Sequence, residues 1–103
     1  MNEKIKMHLI KYCEEKGWTH DDDKDLIETL LEANEIWSGN DEEHRHWIEY
    51  DAVVEINGMF IQFGNAKGAG DQGPIDAGWE FDPNTICEVE EKKKTVTTYV
   101  PKV

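Results

Sequence analysis

Residues 46–63 read HWIEYDAVVEINGMFIQF, and this stretch decides the fold. Along residues 46–56 apolar side chains recur at every second position, which is the period of a half-buried β-strand. One strand face then carries Ile48, Tyr50, Ala52, Val54 and Ile56. Asn57-Gly58 follows, and this dipeptide favours a two-residue hairpin turn because both positions need a positive φ. The turn pairs residues 46–56 with residues 59–64 and sets apolar partners opposite each other, namely Ile56 with Met59, Val54 with Ile61 and Ala52 with Phe63.

Two helices are predicted before this hairpin. Residues 3–16 follow a capping Asn2, repeat their apolar side chains at helical spacing and stop at Gly17, which suits a left-handed conformation. Residues 21–37 keep the same spacing, and Ser38-Gly39-Asn40 follows as a terminating turn. Because the connection between the two segments is very short, we expect a helical hairpin.

The chain after the hairpin is rich in turn signals. Residues 64–78 hold five of the eight glycines and predict a long surface loop. Short strands are predicted over about residues 79–81, 85–90 and 95–100. The predicted fold class is therefore α+β, with an N-terminal two-helix hairpin followed by an antiparallel sheet of about four to five strands, in one domain covering residues 1–103.

The acidic residues are concentrated in one part of the chain. The net charge is −12, and residues 14–55 account for all of it, since they hold fifteen Asp and Glu against three Lys and Arg. The charge density is on the order of half that of duplex DNA, so the segment repels phosphate and suits imitation of DNA. Direct binding of nucleic acid or of an anionic membrane there is excluded. The alternative is that the acidity only keeps the protein soluble.

The sequence predicts that this segment binds a basic protein. Trp47, Val53 and Phe60 are expected on the strand face opposite the Ile48–Ile56 stripe, where apolar side chains rimmed by carboxylates resemble a binding patch. The predicted partner-binding residues are Asp21, Asp22, Asp23, Asp25, Glu28, Glu32, Glu35, Asp41, Glu42, Glu43, Trp47, Glu49, Asp51, Glu55 and Phe60. The competing interpretation is that a helix or the glycine-rich loop covers this face.

The histidines raise the question of a metal site. His44 and His46 have i, i+2 spacing at the start of a strand, which would put both imidazoles on one side. Glu42, Glu43 or His20 could supply a third ligand. Two histidines without a defined third ligand are better explained as solvated side chains beside an acidic loop, so the sequence by itself predicts no metal.

No motif predicts catalysis or a cofactor. Gly68–Gly73 matches the GxGxxG pattern of dinucleotide-binding folds, but Pro74 and a loop follow where a helix is required. The acids between Asp21 and Glu32 have the spacing of a calcium loop, yet Leu26 stands where that loop needs glycine. Ser38 lacks a GxSxG setting. We therefore expect a non-enzymatic protein without catalytic residues or cofactors.

The cysteines and the hydropathy pattern bear on location. Cys13 and Cys87 form no CxxC pair, and neither a secretory leader nor an apolar run of about 18 residues is visible. These features predict two buried, reduced thiols in a soluble protein of the cytoplasm that does not enter a membrane.

Several short motifs are spread over residues 45–101. They are Trp47, Tyr50-Asp51, Asn57-Gly58, Asp76-Ala77-Gly78-Trp79, Cys87-Glu88-Val89-Glu90 and Thr95-Val96-Thr97. In these motifs the chain resembles small uncharacterised accessory proteins encoded by bacteriophages, over about half of its length. The resemblance implies a host-takeover or anti-defence protein in the cytoplasm of a bacterial host, and it transfers no site residue.

Three functional hypotheses follow. The first is a non-enzymatic phage or mobile-element protein, a monomer or homodimer, that binds and inhibits a basic, nucleic-acid-handling host protein as a DNA mimic. The second is a small-ligand or metal-binding domain that uses the glycine-rich loop with His44 and His46. The third is a structural or assembly protein that forms oligomers through its sheet edges.

Overall fold

The computed structural model describes residues 1–70, 73–93 and 97–102. Two helices precede a four-stranded antiparallel sheet in the order β1-β2-β3-β4, so the α+β class is confirmed. The helices are α1 (Glu3–Lys16) and α2 (Asp23–Glu32), and neither is long and apolar enough to cross a membrane. The strands are β1 (Glu35–Glu43), β2 (Trp47–Ile56), β3 (Met59–Gly68) and β4 (Cys87–Val89), and a 3₁₀ turn, Pro83–Thr85, precedes β4.

Helix α1 has the predicted bounds and the predicted caps. The Asn2 side chain accepts a hydrogen bond from the backbone N–H of Ile5 at 2.8 Å. At the other end Gly17 has a φ of 72°, and the N–H groups of Gly17 and Trp18 donate to the carbonyls of Glu14 and Cys13. This pairing satisfies the last carbonyls of the helix and stops it at the glycine.

Helix α2 is shorter than predicted. The expected range of residues 21–37 is wrong at its C-terminal end, because the helix stops at Glu32 and Ala33 is already extended. Asp22 caps the other end by accepting a hydrogen bond from the N–H of Asp25 at 3.0 Å. The residues beyond the helix pair with β2 instead, and the backbone hydrogen bonds of the sheet outweigh the helical spacing of the side chains.

Strand β1 was not predicted, and Ser38-Gly39-Asn40 lies inside it rather than in a terminating turn. All its residues are exposed except the half-buried Gly39. A strand with no buried side chain shows no alternation of apolar and polar residues in its sequence. The position of β1 is set instead by pairing along the edge of β2. Two irregularities interrupt that pairing, one between Glu35 and Trp37 and one between Gly39 and Glu42.

The predicted β-hairpin is confirmed in its register. Ile56 pairs with Met59, Val54 with Ile61 and Ala52 with Phe63, across a turn in which Asn57 and Gly58 have φ values of 46° and 84°. The pairing continues to Trp47 and Gly68, so β3 is longer than the predicted residues 59–64. The glycine-rich segment therefore leaves the sheet only after residue 68, not at residue 64.

The core lies between the helices and one face of the sheet. It consists of Ile5, Leu9, Cys13, Leu26, Leu30, Ala52, Val54, Ile56, Met59, Ile61, Phe63 and Ile86. Burial of a large apolar side chain of this kind contributes about 1.5–3 kcal/mol to the free energy of folding. On β2 the buried positions of this face begin at Ala52, whereas Ile48 and Tyr50 are only half-buried. The helical layer thus covers the half of the hairpin next to its turn and leaves the other half, which we call the distal half, less covered.

The C-terminal strands are only partly as predicted. Residues 79–81 form no strand; instead Phe81 packs on Phe63, with ring centroids 6.0 Å apart. The strand expected over residues 85–90 is reduced to β4. Of the strand expected over residues 95–100, residues 95 and 96 lie outside the described part of the chain and residues 97–100 have no regular structure.

The two thiols differ in exposure. Cys13 is buried as predicted, but Cys87 is exposed and that prediction is wrong. The inward position beside β4 is taken by Ile86, which is 7% exposed. The 3₁₀ turn before β4 shifts the alternation relative to the sequence expectation.

Candidate functional site

The sheet face opposite the two helices is the candidate site, and we call it the open face. The strand register places on it Trp47, Glu49, Asp51, Val53 and Glu55 of β2, Phe60 and Gln62 of β3, and Val89 of β4. The predicted grouping of Trp47, Val53 and Phe60 with three carboxylates is thus present on one face. Both helices pack on the other face, so neither of them covers this one.

An apolar groove occupies one end of the open face. Its walls are formed by Ile36, Trp37, Val53, Phe60 and Val89, with Glu90, Glu91 and Lys92 at one end and Gln62 beside them. The groove has a volume of about 570 Å³. Ile36 is 54% exposed and Trp37 is 49% exposed, which is unusual for side chains of this size.

The first irregularity of β1 builds this groove. Glu35 pairs with Val54 while Trp37 pairs with the next residue, Val53, so Ile36 is an extra residue in the strand. A bulge of this kind lets two successive side chains project from the same side of a sheet. Ile36 and Trp37 consequently both reach the groove.

Gly39 makes room for the Trp37 ring. A Cβ atom at Gly39 would lie 2.8 Å from both Cη2 and Cζ2 of the indole, which is closer than two carbon atoms approach. The tryptophan therefore lies directly over the glycine backbone. Sequence reasoning missed Ile36 and Trp37 as site residues because it assigned both to the helix predicted over residues 21–37. It interpreted Ser38-Gly39-Asn40 as the end of that helix, whereas these residues belong to β1.

An acidic cleft of about 320 Å³ lies across the distal half of the sheet. Five carboxylates line it, those of Glu42, Glu49, Asp51, Glu80 and Asp82. Trp79, Tyr50, Asn40, Asn65, Gly64 and Thr85 complete the lining, so no Lys or Arg belongs to it within the described part of the chain. Such a concentration of one sign of charge in a concave site attracts cations.

Hydrogen bonds hold the walls of the acidic cleft in place. Asn40 donates from Nδ2 to Oδ2 of Asp51 at 2.9 Å, which joins β1 to β2. The N–H of Gly64 donates to Oγ1 of Thr85 at 2.9 Å, and Asp82 accepts from the N–H of Asn84 at 2.9 Å. The segment before β4 is thereby fixed against β3, which gives the cleft a shaped second wall.

Glu35 points away from the open face. Tyr50 donates its hydroxyl to Oε2 of Glu35 at 2.7 Å, and Asn65 donates to the same oxygen at 3.0 Å. The pKa of Tyr50 is raised to about 12, mainly by burial and further by the hydrogen bond and charge of Glu35 and the charge of Asp41. Glu35 therefore has a structural partner in the sheet on the helix side.

The acidic residues of α2 lie apart from those of the sheet. Asp22 caps the helix, Asp25 accepts a hydrogen bond from the N–H of Asp21 at 3.0 Å, and Asp23 lies 3.3 Å from Lys6 of α1. Glu28 and Glu32 line a shallow cleft with Trp18. The predicted acidic surface is thus divided between a helical set and a sheet set.

The remaining predicted acids lie at the margins of the sheet. Glu55 is exposed on the open face, and Asp41 lies 3.5 Å from Lys67. Glu43 is exposed and pairs with Ile48, which places it on the helix side of the sheet.

His44 belongs to a cluster with two glutamates, Glu42 and Glu49. Its Nε2 atom lies 3.2 Å from Oε2 of Glu49 and 3.9 Å from Oε1 of Glu42. One donor atom from each of the three residues lies within 4.8 Å of the other two. The predicted companions differ: His46 is exposed and outside the cluster, and His20 lies near Glu14 of α1.

Comparison with known proteins adds no relative. No protein-family model matches the chain, and neither a curated protein nor a solved structure matches it.

Proposed function

We propose that the protein is a non-enzymatic binding protein that docks a basic protein on the open face. The observation that carries this proposal is that the apolar groove shares the open face with three carboxylates of the acidic cleft, those of Glu42, Glu49 and Asp51. A partner with an apolar side chain flanked by Lys or Arg would contact the groove and these carboxylates together. An inhibitor that imitates DNA would contact its target through the acidic side chains of the open face, which are Glu42, Glu49, Asp51 and Glu55.

The apolar groove would provide most of the binding free energy. Trp37 and Ile36 are half-exposed at its edge, whereas Val53 is buried beneath them. Aromatic side chains in the middle of an interface commonly cost 2 kcal/mol or more when truncated, according to alanine scans. We therefore expect Trp37 to be the main anchor and Phe60 a secondary one.

The acidic cleft would provide specificity for a cationic side chain. Five acidic residues line the cleft, and Trp79 in the same lining would supply a cation–π contact to a Lys or Arg. Phosphate groups are repelled by the same carboxylates, so the partner is expected to be a protein and not a nucleic acid. Proteins that handle nucleic acids carry basic surfaces of the required kind, and occupation of such a surface would inhibit them.

The net charge of −12 would act over a longer range. A field of one sign raises the association rate of an oppositely charged partner and makes that rate dependent on salt. The helical set of acids contributes to this field without touching a partner on the open face. The assignment to a phage and to an anti-defence role remains a prediction from the sequence resemblance.

Binding measurements with two charge-matched double variants test the proposal. Wild type first captures its partner from bacterial lysate at about 50 mM salt, and the dissociation constant of the purified pair is then measured. Glu49→Gln with Asp51→Asn, which removes two charges from the cleft, is expected to weaken binding at least tenfold. Glu28→Gln with Glu32→Gln, which removes two charges from α2, is expected to change it by less than threefold.

Two further results decide the matter. Trp37→Ala should weaken binding by 10-fold or more, and raising salt to about 200 mM should weaken binding of the wild type. Equal losses from the cleft and helix variants would contradict contact at the open face. A dissociation constant that changes neither with salt nor in Trp37→Ala would overturn the proposal as a whole.

A further inference from the structure

We propose that Glu42, His44 and Glu49 form a binding site for a divalent transition-metal ion such as Zn²⁺. The site lies at the distal end of β1 and β2 and does not depend on the proposed protein partner. Two carboxylates and one imidazole nitrogen supply three donors, and these lie within 4.8 Å of one another at the edge of the acidic cleft.

The distances between the donors fit a shared ion. A tetrahedral zinc site with bonds of about 2.0–2.1 Å separates its ligand atoms by roughly 3.4 Å. His44 Nε2 lies 3.2 Å from Glu49 Oε2 and 3.9 Å from Glu42 Oε1. The donor oxygens of Glu42 and Glu49 lie within 4.8 Å of each other, so side-chain rotations would bring all three atoms into bonding range.

The backbone places the two glutamates directly opposite each other. The second irregularity of β1, between Gly39 and Glu42, contains Asn40 with a φ of 55° and brings Glu42 into register with Glu49. Like charges at opposing positions of an antiparallel pair destabilise a sheet. A cation held between them would turn this repulsion into attraction.

Neighbouring side chains orient the ligands. Trp47 donates from Nε1 to Oε1 of Glu49 at 3.1 Å, which leaves Oε2 directed at His44. The imidazole of His44 stacks on the Trp47 ring with centroids 5.4 Å apart and planes at 17°. Hydrogen bonds and packing of this kind fix ligand geometry in metal sites.

The donor set selects the kind of metal. An imidazole nitrogen favours Zn²⁺, Cu²⁺ or Ni²⁺ over Ca²⁺ and Mg²⁺, which prefer six or more oxygen ligands. Three protein donors leave at least one coordination position for water or for another ligand. Since Glu42 and Glu49 also line the acidic cleft, this position lies at its edge.

Calorimetric titration of the chelator-treated protein with ZnCl₂ tests the site, and no partner is needed. We expect one zinc per chain, with Ca²⁺ binding at least tenfold more weakly. His44→Ala and Glu49→Gln should each weaken zinc binding 10-fold or more, while His46→Ala serves as the matched control and should leave it unchanged. Trp47→Phe, which keeps the stacking but removes the hydrogen bond, should weaken binding about 10-fold.

The outcomes that would overturn the site are equally specific. Absence of zinc binding by wild type at 1 mM metal rejects it, and so does equal weakening by His44→Ala and His46→Ala. Circular dichroism of each variant shows whether the fold is intact, and Glu42→Gln provides a second test if one variant unfolds. Because zinc binding is measured on the isolated chain, failure here leaves the proposed protein-binding function standing, and the reverse also holds.

Discussion

At the scale of single residues, the raised pKa of Tyr50 leads to a prediction about stability at high pH. Its pKa is about 12 in the folded chain because of burial, the hydrogen bond to Glu35 and the negative charge nearby, against an ordinary value of 10.0. Below pH 10 the phenol is neutral in both states and this contribution to stability is complete. As the pH rises from 10 to about 12 the unfolded chain ionises first, so the contribution is lost.

Nuclear magnetic resonance of the Tyr50 ring against pH measures this directly. We expect a midpoint near 12 in wild type and a lower one in Glu35→Gln, which keeps the shape of the side chain but removes its charge. Urea unfolding from pH 9 to 12 should show a smaller loss of stability in Tyr50→Phe than in wild type. A Tyr50 midpoint near 10 would contradict the burial of the ring and its hydrogen bond to Glu35.

At the same scale, sequence reasoning found part of the site and missed the rest. It placed Trp47, Val53 and Phe60 together because the alternation of β2 and the Asn57-Gly58 turn fix which face each side chain occupies. It did not find Ile36 or Trp37, whose position depends on a bulge, and bulges leave no periodic signal. It joined His44 to His46 by spacing, whereas the structure joins His44 to Glu49 across the strands.

At the scale of elements, the chain separates into parts fixed locally and parts fixed by pairing. Helix α1 and the β2–β3 hairpin were predicted because their caps, turn and apolar periods all agree. The end of α2 and the whole of β1 were not, because residues 35–43 have no buried face of their own. The acidic cleft was missed for the same reason, since it brings residues of β1 and β2 together with the segment before β4.

The N-terminal cap of α2 gives an element-scale prediction. Asp22 accepts the hydrogen bond from Asp25 and also carries one of the negative charges at the helix start. Asp22→Ala removes cap and charge and should cost about 1 kcal/mol of stability, or about 4–8 °C in Tm. Asp22→Asn removes only the charge and keeps the acceptor, so it should cost less than half as much. Equal losses in thermal unfolding would show that charge and not the cap stabilises this end.

The cap has a consequence for any test that neutralises the helical acids together. Changing Asp21, Asp22, Asp23, Asp25 and Glu28 at once would remove a cap, a second backbone contact and the ion pair with Lys6. Loss of binding in that protein could come from a weakened helix. Glu28 and Glu32 are the better pair to change, because within the described part of the chain neither side chain forms a hydrogen bond or an ion pair.

At the scale of the whole molecule, the dominant feature is an excess of 23 acidic over 11 basic residues. The folded chain holds these acids closer together than the unfolded chain does, so their mutual repulsion opposes folding. The visible ion pairs, such as Lys4 with Glu88 and Lys67 with Asp41, are exposed and contribute little. Salt screens the repulsion between acidic side chains as well as the attraction within ion pairs. Because acidic residues outnumber basic ones, we expect the loss of repulsion to be larger and salt to stabilise the fold.

Thermal unfolding from about 10 mM to 500 mM NaCl checks this balance, since the Debye length falls from about 30 Å to less than 5 Å over that range. Screening of about 1 kcal/mol of repulsion should raise the Tm by about 4 °C or more. Glu28→Lys with Glu32→Lys reduces the excess of negative charge, from −12 to −8, on a surface away from the open face, and should make the Tm less dependent on salt. If the Tm falls with salt, or if the double variant keeps the slope of wild type, specific ion pairs outweigh the net repulsion. The acidic residues would then stabilise the fold through ion pairs, and a long-range electrostatic field would no longer explain why the chain has so many carboxylates.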